Sequence, residues 1–395
     1  MYLHIYMQKK YQKQYKKKVV TYVPKQEPAK LTTEINQTAS RTPLRTTEED
    51  FQGKSEEWFS DQDFLCNSPA SLFAGHPDDY FASYSHFGIH QEMLKDKIRT
   101  GSYKYACDQN KEDLNGKIVL DIGCGTGILS IFAARAGAKH VYAVDNAHIA
   151  DYAKIIIKNN NLEDKITVIK GKIEEITLPV EKVDIIISEW MGYCLLYESM
   201  LDCVLYARDK WLAKDGFIMP DRVRMCLSAV DDVEYKKTKF DFWQNLYSMD
   251  MSIFKQVSLS EPLVDYVEEK AVISNVSTFL DLDLYTVKKE DLNFANQYSV
   301  TIKRNGSLDA MVVWFDVIFN KLKTPVQFTT GPFTKRTHWS QSIFYMRDSL
   351  SCREGDEISG TIALCKNKTS FRDIDIVLTV HHKGDERRKY LYKLT

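Results

Sequence analysis

The chain has 395 residues, of which 44% are hydrophobic and 27% are charged, and its formal net charge is −1. This length suits two domains, and the balanced charge excludes a whole-chain attraction to nucleic acid or to a membrane surface. No apolar run approaches the ~18 residues of a transmembrane helix, and the eight cysteines are scattered without any C-x-x-C pair. We therefore expect a protein of a reducing, intracellular compartment, without a metal site and without membrane contact.

Residues 1–75 have the composition of an unfolded tail. Six lysines lie between Lys9 and Lys18, and the residues after them are rich in Thr, Gln, Pro and Glu but poor in aliphatic side chains. Such a segment cannot bury enough apolar surface to become ordered. The lysines suit a nuclear-localisation or RNA-contacting patch, or simply a solvated arm, which is the commoner use of such a run.

An amphipathic helical region follows from Asp79. Aromatic and aliphatic residues recur at three- and four-residue spacing with charged residues between them, which is typical of helices. These positions are Tyr80, Phe81, Tyr84, Phe87, His90, Met93, Leu94 and Ile98. The apolar stripe predicts a surface that faces the core, although its richness in Tyr and His leaves open that the region closes over a ligand.

The next elements predict half of a Rossmann-like sheet. A buried strand at Lys117–Leu120 is ended by Asp121, and the glycine-rich turn GCGTG at Gly123–Gly127 opens a helix that stops at Gly137. A second strand, HVYAV, ends on Asp145. Glycines let a ligand approach the backbone at the helix N-terminus, and the acid lies where a ribose diol is usually held. The unit therefore predicts a site for a nucleotide-like ligand.

The spacing of the glycines distinguishes between ligands. A dinucleotide fingerprint needs its third glycine three residues after the second, but Ile128 stands at that place and no P-loop lysine follows. The G-x-G-x-G pattern is instead similar to that of S-adenosylmethionine-dependent methyltransferases, whose ligand has a ribose and no pyrophosphate. A further strand, KITVIKG, ends near Ile173 and Glu174, which are placed to meet an adenine edge.

Two acids follow the next buried strand, which runs from Val183 to Ser188. Glu189 ends this strand, the chain breaks at Gly192, and Glu198 comes nine residues after the first acid. Three aromatic residues accompany them, Trp190, Tyr193 and Tyr197. Together they can form an acidic pocket with aromatic walls, which suits a flat guanidinium with several N–H donors. The plainer alternative is that Glu189 is an N-cap or a solvated loop acid and that Glu198 lies on a helix surface.

After Pro220 the hydrophobic pattern alternates with period two, as it does in strands with one buried face. The clearest runs are Met311–Phe319, Ile358–Leu364 and Asp373–Val380. They predict an antiparallel barrel or sandwich. An insertion at 233–253 is rich in aromatic residues and methionine. It suits either a helical hairpin packed on its own domain or an arm that docks on a second subunit.

From about Asp79 onward the chain resembles the type I protein arginine N-methyltransferases of eukaryotes. The motifs that carry the resemblance are YFxxY at Tyr80–Tyr84, the GCGTG turn, SEWMGYCLLYESM at Ser188–Met200 and THW at Thr337–Trp339. The resemblance implies an α/β protein with a Rossmann-like S-adenosylmethionine-binding domain at 76–220. An antiparallel β-barrel domain for substrate binding follows at 221–395, and the insertion at 233–253 becomes a helical dimerisation arm. The tail at 1–75 lies outside the resemblance.

The resemblance also implies roles for individual residues. The cofactor contacts fall on Tyr84, His90, Met93, Arg99, Asp121, Gly123, Gly125, Asp145, Ile173 and Glu174. As catalytic residues, Glu189 and Glu198 grip the target arginine, and His338 with Asp96 forms a supporting polar pair that can accept a proton. The substrate pocket is lined by Met93, Met200, Tyr193 and Trp339. Asp145 departs from the family, which usually has the longer Glu at this place.

The implied activity is the transfer of methyl groups from S-adenosylmethionine to arginine guanidinium nitrogens in proteins, such as histone tails and glycine-arginine-rich RNA-binding proteins. The products are monomethylarginine, asymmetric dimethylarginine and S-adenosylhomocysteine. The resemblance further implies a homodimer or a larger even oligomer in the nucleus and cytoplasm, without sequence-specific binding of nucleic acid.

Two other classes of protein remain open at this point. A methyltransferase for nucleic acids or small molecules would share the glycine turn, but it would not need two acids facing the methyl donor. Nucleic-acid methyltransferases also commonly have an N-P-P-Y-like loop in place of SEWMGY. An inactive scaffold would keep the fold and lose an acid, whereas both acids are present.

Overall fold

The computed structural model describes residues 77–383 and 387–395. The predicted tail at 1–75, with its lysine run, lies outside these residues. Within the two described ranges, no helix combines the length and the apolar composition needed to cross a membrane.

Helices form the N-terminal part of the described chain. They are α1 (Pro77–Ser83), α2 (Phe87–Lys95), α3 (Arg99–Gln109) and α4 (Lys111–Leu114). The predicted helical region is thus confirmed. Before α3, Asp96 Oδ1 accepts hydrogen bonds from the backbone amides of Ile98 and Arg99, both at 3.0 Å, as a capping side chain does. The Tyr103 hydroxyl then joins α3 to the sheet, since it donates to the Ser188 carbonyl oxygen at 2.8 Å.

A five-stranded parallel sheet follows. Its strands are β1 (Ile118–Ile122), β2 (His140–Asp145), β3 (Ile166–Lys170), β4 (Val183–Ser188) and β5 (Leu212–Met219), and its helices are α5 (Ile128–Arg135), α6 (Ile149–Asn159) and α7 (Leu201–Trp211). The spatial order is β3-β2-β1-β4-β5, so the order reverses between β1 and β4. In open parallel sheets, ligands bind beyond the carboxyl ends of the strands at such a reversal. The glycine turn after β1 and Glu189 after β4 both lie at this point.

Asp121 differs from the prediction that it ends the first strand. It lies inside β1, where it pairs with Ala143 of β2 and Ile187 of β4. The prediction ended the strand there because a charge interrupts the apolar run. In the structure, the Ser130 hydroxyl of α5 donates to Asp121 Oδ2 at 2.6 Å. This hydrogen bond lets the acid remain buried within the strand.

Antiparallel strands make up the C-terminal part. They are β6 (Arg222–Val230), β7 (Leu263–Asp265), β8 (Ser277–Asp283), β9 (Phe294–Thr301), β10 (Gly306–Phe319), β11 (Val326–Thr329), β12 (Gln341–Cys352), β13 (Glu357–Lys366), β14 (Ile374–His382) and β15 (Arg388–Leu394). One sheet has the order β7-β12-β10-β6-β8 with β11 beside β10, and the other has the order β15-β14-β13-β9. The predicted change to antiparallel strands after Pro220 is confirmed.

Strand β14 is buried on both of its faces. The predicted inward face is almost inaccessible to solvent and consists of Ile374, Ile376, Leu378 and Val380. Val377 and Thr379, which point to the opposite face, are buried as well. The Thr379 hydroxyl satisfies its own burial by accepting a hydrogen bond from the Thr361 amide at 2.9 Å. The alternating pattern therefore predicts the strand correctly but understates how deeply it lies.

The insertion after β6 is helical, as predicted. It contains α8 (Val233–Phe240), a 3-10 turn (Asp241–Asn245) and α9 (Ile253–Leu259). At its base, the ring of Phe240 is buried and packs against Tyr345, with 5.2 Å between the ring centroids. Near its tip, Tyr247 is 87% exposed and Met249 is 56% exposed. The insertion is thus anchored to the antiparallel part at one end and open to solvent at the other.

A buried asparagine ties α3 to the antiparallel part. Asn110 Nδ2 donates to the carbonyl oxygens of Ala106 at 2.9 Å and Thr324 at 3.0 Å. Its Oδ1 accepts from the Thr324 amide at 2.6 Å. Because Thr324 lies between β10 and β11, this one amide holds the end of the helix and the barrel loop together.

Candidate active site

The glycine turn after β1 packs tightly against two residues that were predicted to belong to the site. Gly123, Gly125 and Gly127 have φ values of +69°, +54° and +78°, which residues with side chains rarely adopt. A Cβ atom on Gly123 would lie 2.2 Å from Met200 Cε, and one on Gly125 would lie 3.2 Å from His90 Nδ1. The missing side chains therefore let the turn approach both residues.

Asp145, at the end of β2, holds the glycine turn in place. Its Oδ2 accepts from the backbone amide of Gly125 and its Oδ1 from that of Ala147, both at 2.8 Å. Burial raises the pKa of this carboxyl group, and the two hydrogen bonds oppose the rise. Each carboxylate oxygen has a further lone pair, so Asp145 can also accept from the hydroxyls of a ribose.

His90 connects the glycine turn to the N-terminal helices. Its Nε2 lies 2.7 Å from the Tyr84 carbonyl oxygen, and because a carbonyl only accepts, Nε2 carries the proton. Burial lowers the pKa of His90, which favours the neutral ring. In that form Nδ1, beside Gly125, is an acceptor that can face a ligand.

The other predicted cofactor residues add polar groups to the same edge of the sheet. Asp121 Oδ1 is buried and has no hydrogen-bond partner among the described residues, and burial raises the pKa of Asp121 to about 7. Shortly after β3, Ile173 is buried whereas Glu174 is exposed. The carboxylates of Asp121, Glu174 and Asp145 can accept the hydrogen bonds that the ribose hydroxyls and the amino groups of S-adenosylmethionine donate. Across the described chain, no three His, Cys, Asp or Glu side chains are grouped to hold a metal ion.

Glu189 is held by Arg99. The Arg99 Nε donates to Glu189 Oε2 at 2.7 Å, and its Nη2 lies 2.6 Å from the same oxygen. The second carboxylate oxygen, Oε1, is buried and has no hydrogen-bond partner among the described residues. Arg99, which the resemblance assigns to the cofactor, therefore also orients the first of the two acids.

Glu198 is buried, and its Oε2 accepts from the Tyr84 hydroxyl at 2.8 Å. Burial raises the pKa of Glu198 to about 7, against the opposing effects of the Tyr84 hydrogen bond and the Arg372 charge. The nearby Glu189 adds to the rise. Glu198 therefore changes between its neutral and charged forms close to neutral pH.

The loop that carries both acids has a strained backbone. Four of its non-glycine residues have positive φ, namely Cys194, Leu195, Glu198 and Ser199. Gly192 closes the loop, because its amide donates to the Leu195 carbonyl oxygen at 3.0 Å and a Cβ atom there would lie 2.1 Å from the Tyr197 carbonyl oxygen. Such conformations cost energy and persist where the surrounding structure fixes them, which is common at functional sites.

The structure brings the predicted pair His338 and Asp96 together. Both Nδ1 and the backbone amide of His338 lie 2.8 Å from Asp96 Oδ2. Although burial opposes its charge, the hydrogen bonds from His338 and from the Arg99 amide lower the pKa of Asp96. Since Asp96 Oδ1 also caps α3, the pair fixes the start of the helix that carries Arg99.

Of the predicted pocket residues, Trp339 has a different position. It is 3% exposed and packs near Phe315 and Phe328 in the core, and its indole N–H donates to the Met191 carbonyl oxygen at 2.7 Å. A buried indole needs such an acceptor, and this one lies on the acid loop. Trp339 therefore supports the loop instead of forming the pocket wall.

The three remaining pocket residues, Met93, Met200 and Tyr193, are half-buried. Tyr193 stacks with Tyr197, with 6.4 Å between the ring centroids. Met200 contacts the glycine turn, as described above. Tyr193 and Met200 belong to the acid loop, and Met93 lies in α2, where its carbonyl oxygen is 3.4 Å from Arg99 Nη1.

Sequence reasoning missed Arg372 and the contact between Tyr80 and this arginine. Arg372 Nη1 donates to the Glu198 carbonyl oxygen at 2.6 Å, and its guanidinium lies 3.6 Å from the centroid of the Tyr80 ring. In the sequence, Arg372 is only a charged residue in front of an alternating strand. No local pattern relates it to the acid loop.

Together these features define a class of protein. The class is that of a Rossmann-like methyltransferase with an acidic acceptor pocket. Its features here are a parallel sheet whose strand order reverses, a glycine turn anchored by an acid, and two buried acids at the same edge of the sheet.

Comparisons with known proteins identify the family within this class. Residues 221–385 match the family model described as the arginine methyltransferase oligomerization subdomain, and residues 106–202 match that of the ribosomal protein L11 methyltransferase. The chain is 53% identical over 299 residues to protein arginine N-methyltransferase 1 of Schizosaccharomyces pombe, which covers 76% of this chain and 88% of that protein. It is 51% identical over 308 residues to protein arginine N-methyltransferase 1 of Chlamydomonas reinhardtii, with coverage of 78% and 89%.

Solved structures agree with this assignment. The PRMT1 enzyme-prozyme heterotetrameric complex with AdoHcy from Trypanosoma brucei matches with a TM-score of 0.77 at 42% identity, over 79% of this chain and 100% of that chain. Protein arginine methyltransferase 10 of Arabidopsis thaliana matches with a TM-score of 0.73 at 32% identity, over 80% of this chain and 99% of that chain.

The chain belongs to the protein arginine N-methyltransferase family, whose enzymes transfer methyl groups from S-adenosylmethionine to arginine. The predicted family, fold class, enzyme class and cofactor are confirmed, and the C-terminal part contains an oligomerisation subdomain.

Replacing Tyr84 by Phe tests how Glu198 is tuned. In the wild type, the Tyr84 hydroxyl lowers the pKa of Glu198. Its removal should therefore raise this pKa, so that the variant needs a higher pH to ionise Glu198. We expect the acid limb of kcat/KM, which reports groups of the free enzyme, to lie near pH 7 in the wild type and at higher pH in Tyr84→Phe. Tyr105→Phe, at an exposed position of α3, is the control. An unshifted limb in Tyr84→Phe would show that the hydrogen bond does not tune the acid.

Proposed function

We propose that this enzyme methylates arginine side chains in proteins, including histone tails and glycine-arginine-rich segments, and that Glu189 and Glu198 bind the guanidinium. The observation that carries the proposal is a pair of buried acids on one loop, one of which keeps a carboxylate oxygen that can accept a further hydrogen bond. Arg99 occupies Oε2 of Glu189, while Oε1 has no hydrogen-bond partner among the described residues. A guanidinium has five N–H donors in a planar fork, which matches carboxylate acceptors.

The two acids counteract the charge delocalisation that makes arginine a poor nucleophile. S-Adenosylmethionine supplies an electrophilic methyl group when it is bound. Charge-assisted hydrogen bonds to Glu189 and Glu198 hold the positive charge on the nitrogens that the acids contact, so the remaining nitrogen gains lone-pair character. Alignment of the reacting groups can contribute ~7–11 kcal/mol, and the fixed carboxylates stabilise the charge as it shifts.

The guanidinium must release one proton when it gains a methyl group, and Glu198, which contacts it, is the proposed acceptor. Burial raises its pKa to about 7, which is close to the value at which a general base is most effective at neutral pH. The pair of His338 and Asp96 was the acceptor considered from the sequence. Asp96 also accepts a hydrogen bond from the Arg99 amide. We therefore assign this pair a positioning role, because it fixes Arg99, which in turn holds Glu189.

Glutamine variants of the two acids test the proposed grip. Glu198→Gln keeps the size of the side chain but removes its charge, so kcat should fall by ~100-fold or more, as for the loss of one preorganised electrostatic contact. Glu189→Gln should behave similarly, and the double variant should be little worse than either single one if the acids act as a unit. Calorimetry should show little change in the affinity of Glu198→Gln for S-adenosylmethionine.

The matched control for this series is Glu181→Gln, at an exposed position just before β4. It should keep wild-type kcat. Near-normal turnover of Glu198→Gln together with a loss of cofactor affinity would make the acids structural, and the proposed grip would have to be abandoned.

The proposed products are monomethylarginine and then asymmetric dimethylarginine. Met93 and Met200 have slim, flexible side chains, which leaves room for a nitrogen that already carries one methyl group. Incubation of the full chain with labelled S-adenosylmethionine and a glycine-arginine-rich peptide, followed by hydrolysis and mass spectrometry, tests the products. Symmetric dimethylarginine would rule out the type I assignment. An unlabelled peptide would refute this class of substrate.

Homodimerisation through the insertion at 233–253 is the second part of the proposal. The insertion lies within the subdomain matched at 221–385. Its outer part exposes Tyr247, Met249 and Phe254, and Trp243 packs against Phe254 with 5.1 Å between the ring centroids. Aromatic and methionine side chains grouped on a protrusion are typical of protein interfaces.

Charge substitutions at the tip test this assembly without removing the buried base of the insertion. Tyr247→Glu combined with Met249→Glu should weaken the dimer by ~30-fold or more, the order for loss of an interface hot spot. Light scattering over a dilution series measures this, and activity should fall together with the dimer. Val276→Glu, at an exposed barrel position, is the control. A wild-type monomer with full turnover would contradict the proposal.

A further inference from the structure

Arg372 holds the backbone of Glu198 from the turn between β13 and β14. Its Nη1 donates to the Glu198 carbonyl oxygen at 2.6 Å, and its own carbonyl oxygen accepts from the Glu198 amide at 2.8 Å. Beside it, the Ser199 hydroxyl donates to the Phe371 carbonyl oxygen at 2.6 Å. The barrel turn therefore binds both backbone groups of the acid and the side chain of the residue that follows it.

These contacts fall where the acid loop is strained. Glu198 and Ser199 have φ values of +75° and +56°, a region that residues with a Cβ atom adopt only at an energetic cost. Such a conformation persists when the contacts around it permit no other. The two backbone hydrogen bonds from Arg372 are contacts of this kind, and they fix the residue whose side chain is proposed to bind substrate.

The face of the Arg372 guanidinium is covered by aromatic rings. The ring centroids of Tyr80, Phe371 and Phe81 lie 3.6, 4.7 and 5.2 Å from its central carbon. Tyr80 and Phe81 belong to α1, so a planar cation of the barrel stacks on the first described helix. The Arg372 Nε is buried without a hydrogen-bond partner among the described residues. Stacking and backbone contact are therefore what hold the side chain.

Glu198 is faced by titratable or charged groups from each element around it. They are Tyr80 of α1, Tyr84 of the turn after it, Glu189, Tyr193 and Tyr197 of its own loop, and Arg372 from the barrel turn. Of these groups, Arg372 supplies the positive charge. Its charge lowers the pKa of Glu198, while burial and Glu189 raise it. The backbone contact and the charge thus act on the same acid.

We propose that Arg372 is a positioning residue for methyl transfer, which fixes the strained backbone of Glu198 and holds α1 against the same acid. This inference rests on the proposed role of Glu198 in binding the substrate guanidinium. It places part of the control of the catalytic acid in the barrel, in a residue that acts through Glu198.

The pH dependence of kcat/KM separates this role from a merely structural one. The assay uses the full chain, saturating S-adenosylmethionine and a glycine-arginine-rich peptide. In Arg372→Gln, the loss of the cation should move the acid limb upward by about one pH unit, and the plateau at high pH should fall by about 10–100-fold because the acid is misplaced. Arg372→Lys keeps the charge but loses the planar fork, so its limb should stay in place while its plateau falls.

Hydrogen exchange at residues 80–86 gives a second readout that does not depend on activity. Both Arg372 variants should exchange faster there than the wild type, because α1 has lost its stacking partner. Arg347→Gln, at an exposed position of β12, is the matched control and should change neither exchange nor kcat/KM. If Arg372→Gln does not fold, Arg372→Lys decides alone through its plateau and its exchange.

The outcomes separate this inference from the proposed function. Wild-type plateau and wild-type exchange in Arg372→Lys, or a limb that does not move in folded Arg372→Gln, would overturn the inference. If Glu198→Gln is inactive while the Arg372 variants behave like wild type, only the role of Arg372 fails. If Glu198→Gln stays fully active, the proposed grip fails as well.

Discussion

Burial of two like charges on one loop is the constraint on which the rest of the structure depends. A carboxylate in an apolar environment becomes protonated unless cations or hydrogen-bond donors compensate for the lost water. The loop itself supplies no cation for this purpose. Glu189 receives Arg99 from the start of α3, and Glu198 receives the Tyr84 hydroxyl and the nearby charge of Arg372. The parallel sheet thus presents the acids, while the N-terminal helices and the barrel turn keep them in place.

The parts of the site that could be predicted from the sequence are those with a local pattern. The glycine turn has a fixed spacing, and the strands predicted before Asp121, Asp145 and Glu189 are short apolar runs. Even there, Asp121 shows a limit, because the Ser130 hydroxyl that keeps it inside β1 comes from the following helix. An acid after an apolar run therefore need not end the strand when the fold offers it a buried hydrogen-bond partner.

The contacts between distant segments could not be predicted in this way. Arg99 meets Glu189 across 90 positions, and Arg372 meets Glu198 across 174. Neither pair leaves a periodic signal, because each arginine lies at an element boundary where charge is ordinary. Trp339 illustrates the same point. The THW motif implies that this residue lies near the acids, but it does not show that the indole supports the acid loop from the core through the Met191 carbonyl oxygen. Burial on both faces of β14 is equally invisible to an alternating pattern.

Helix α3 has its two ends at two different parts of the molecule. Its first residue, Arg99, binds Glu189, and Asn110, just after its last residue, binds Thr324 of the barrel loop. Its 11 residues form a rod of roughly 16 Å at the usual helical rise. A rod of this length bends little, so a shift of the barrel loop at one end becomes a shift of Arg99 at the other. Substitutions in a loop remote from the reaction site can therefore change the position of Arg99, and with it that of Glu189, while every residue around Glu189 stays the same.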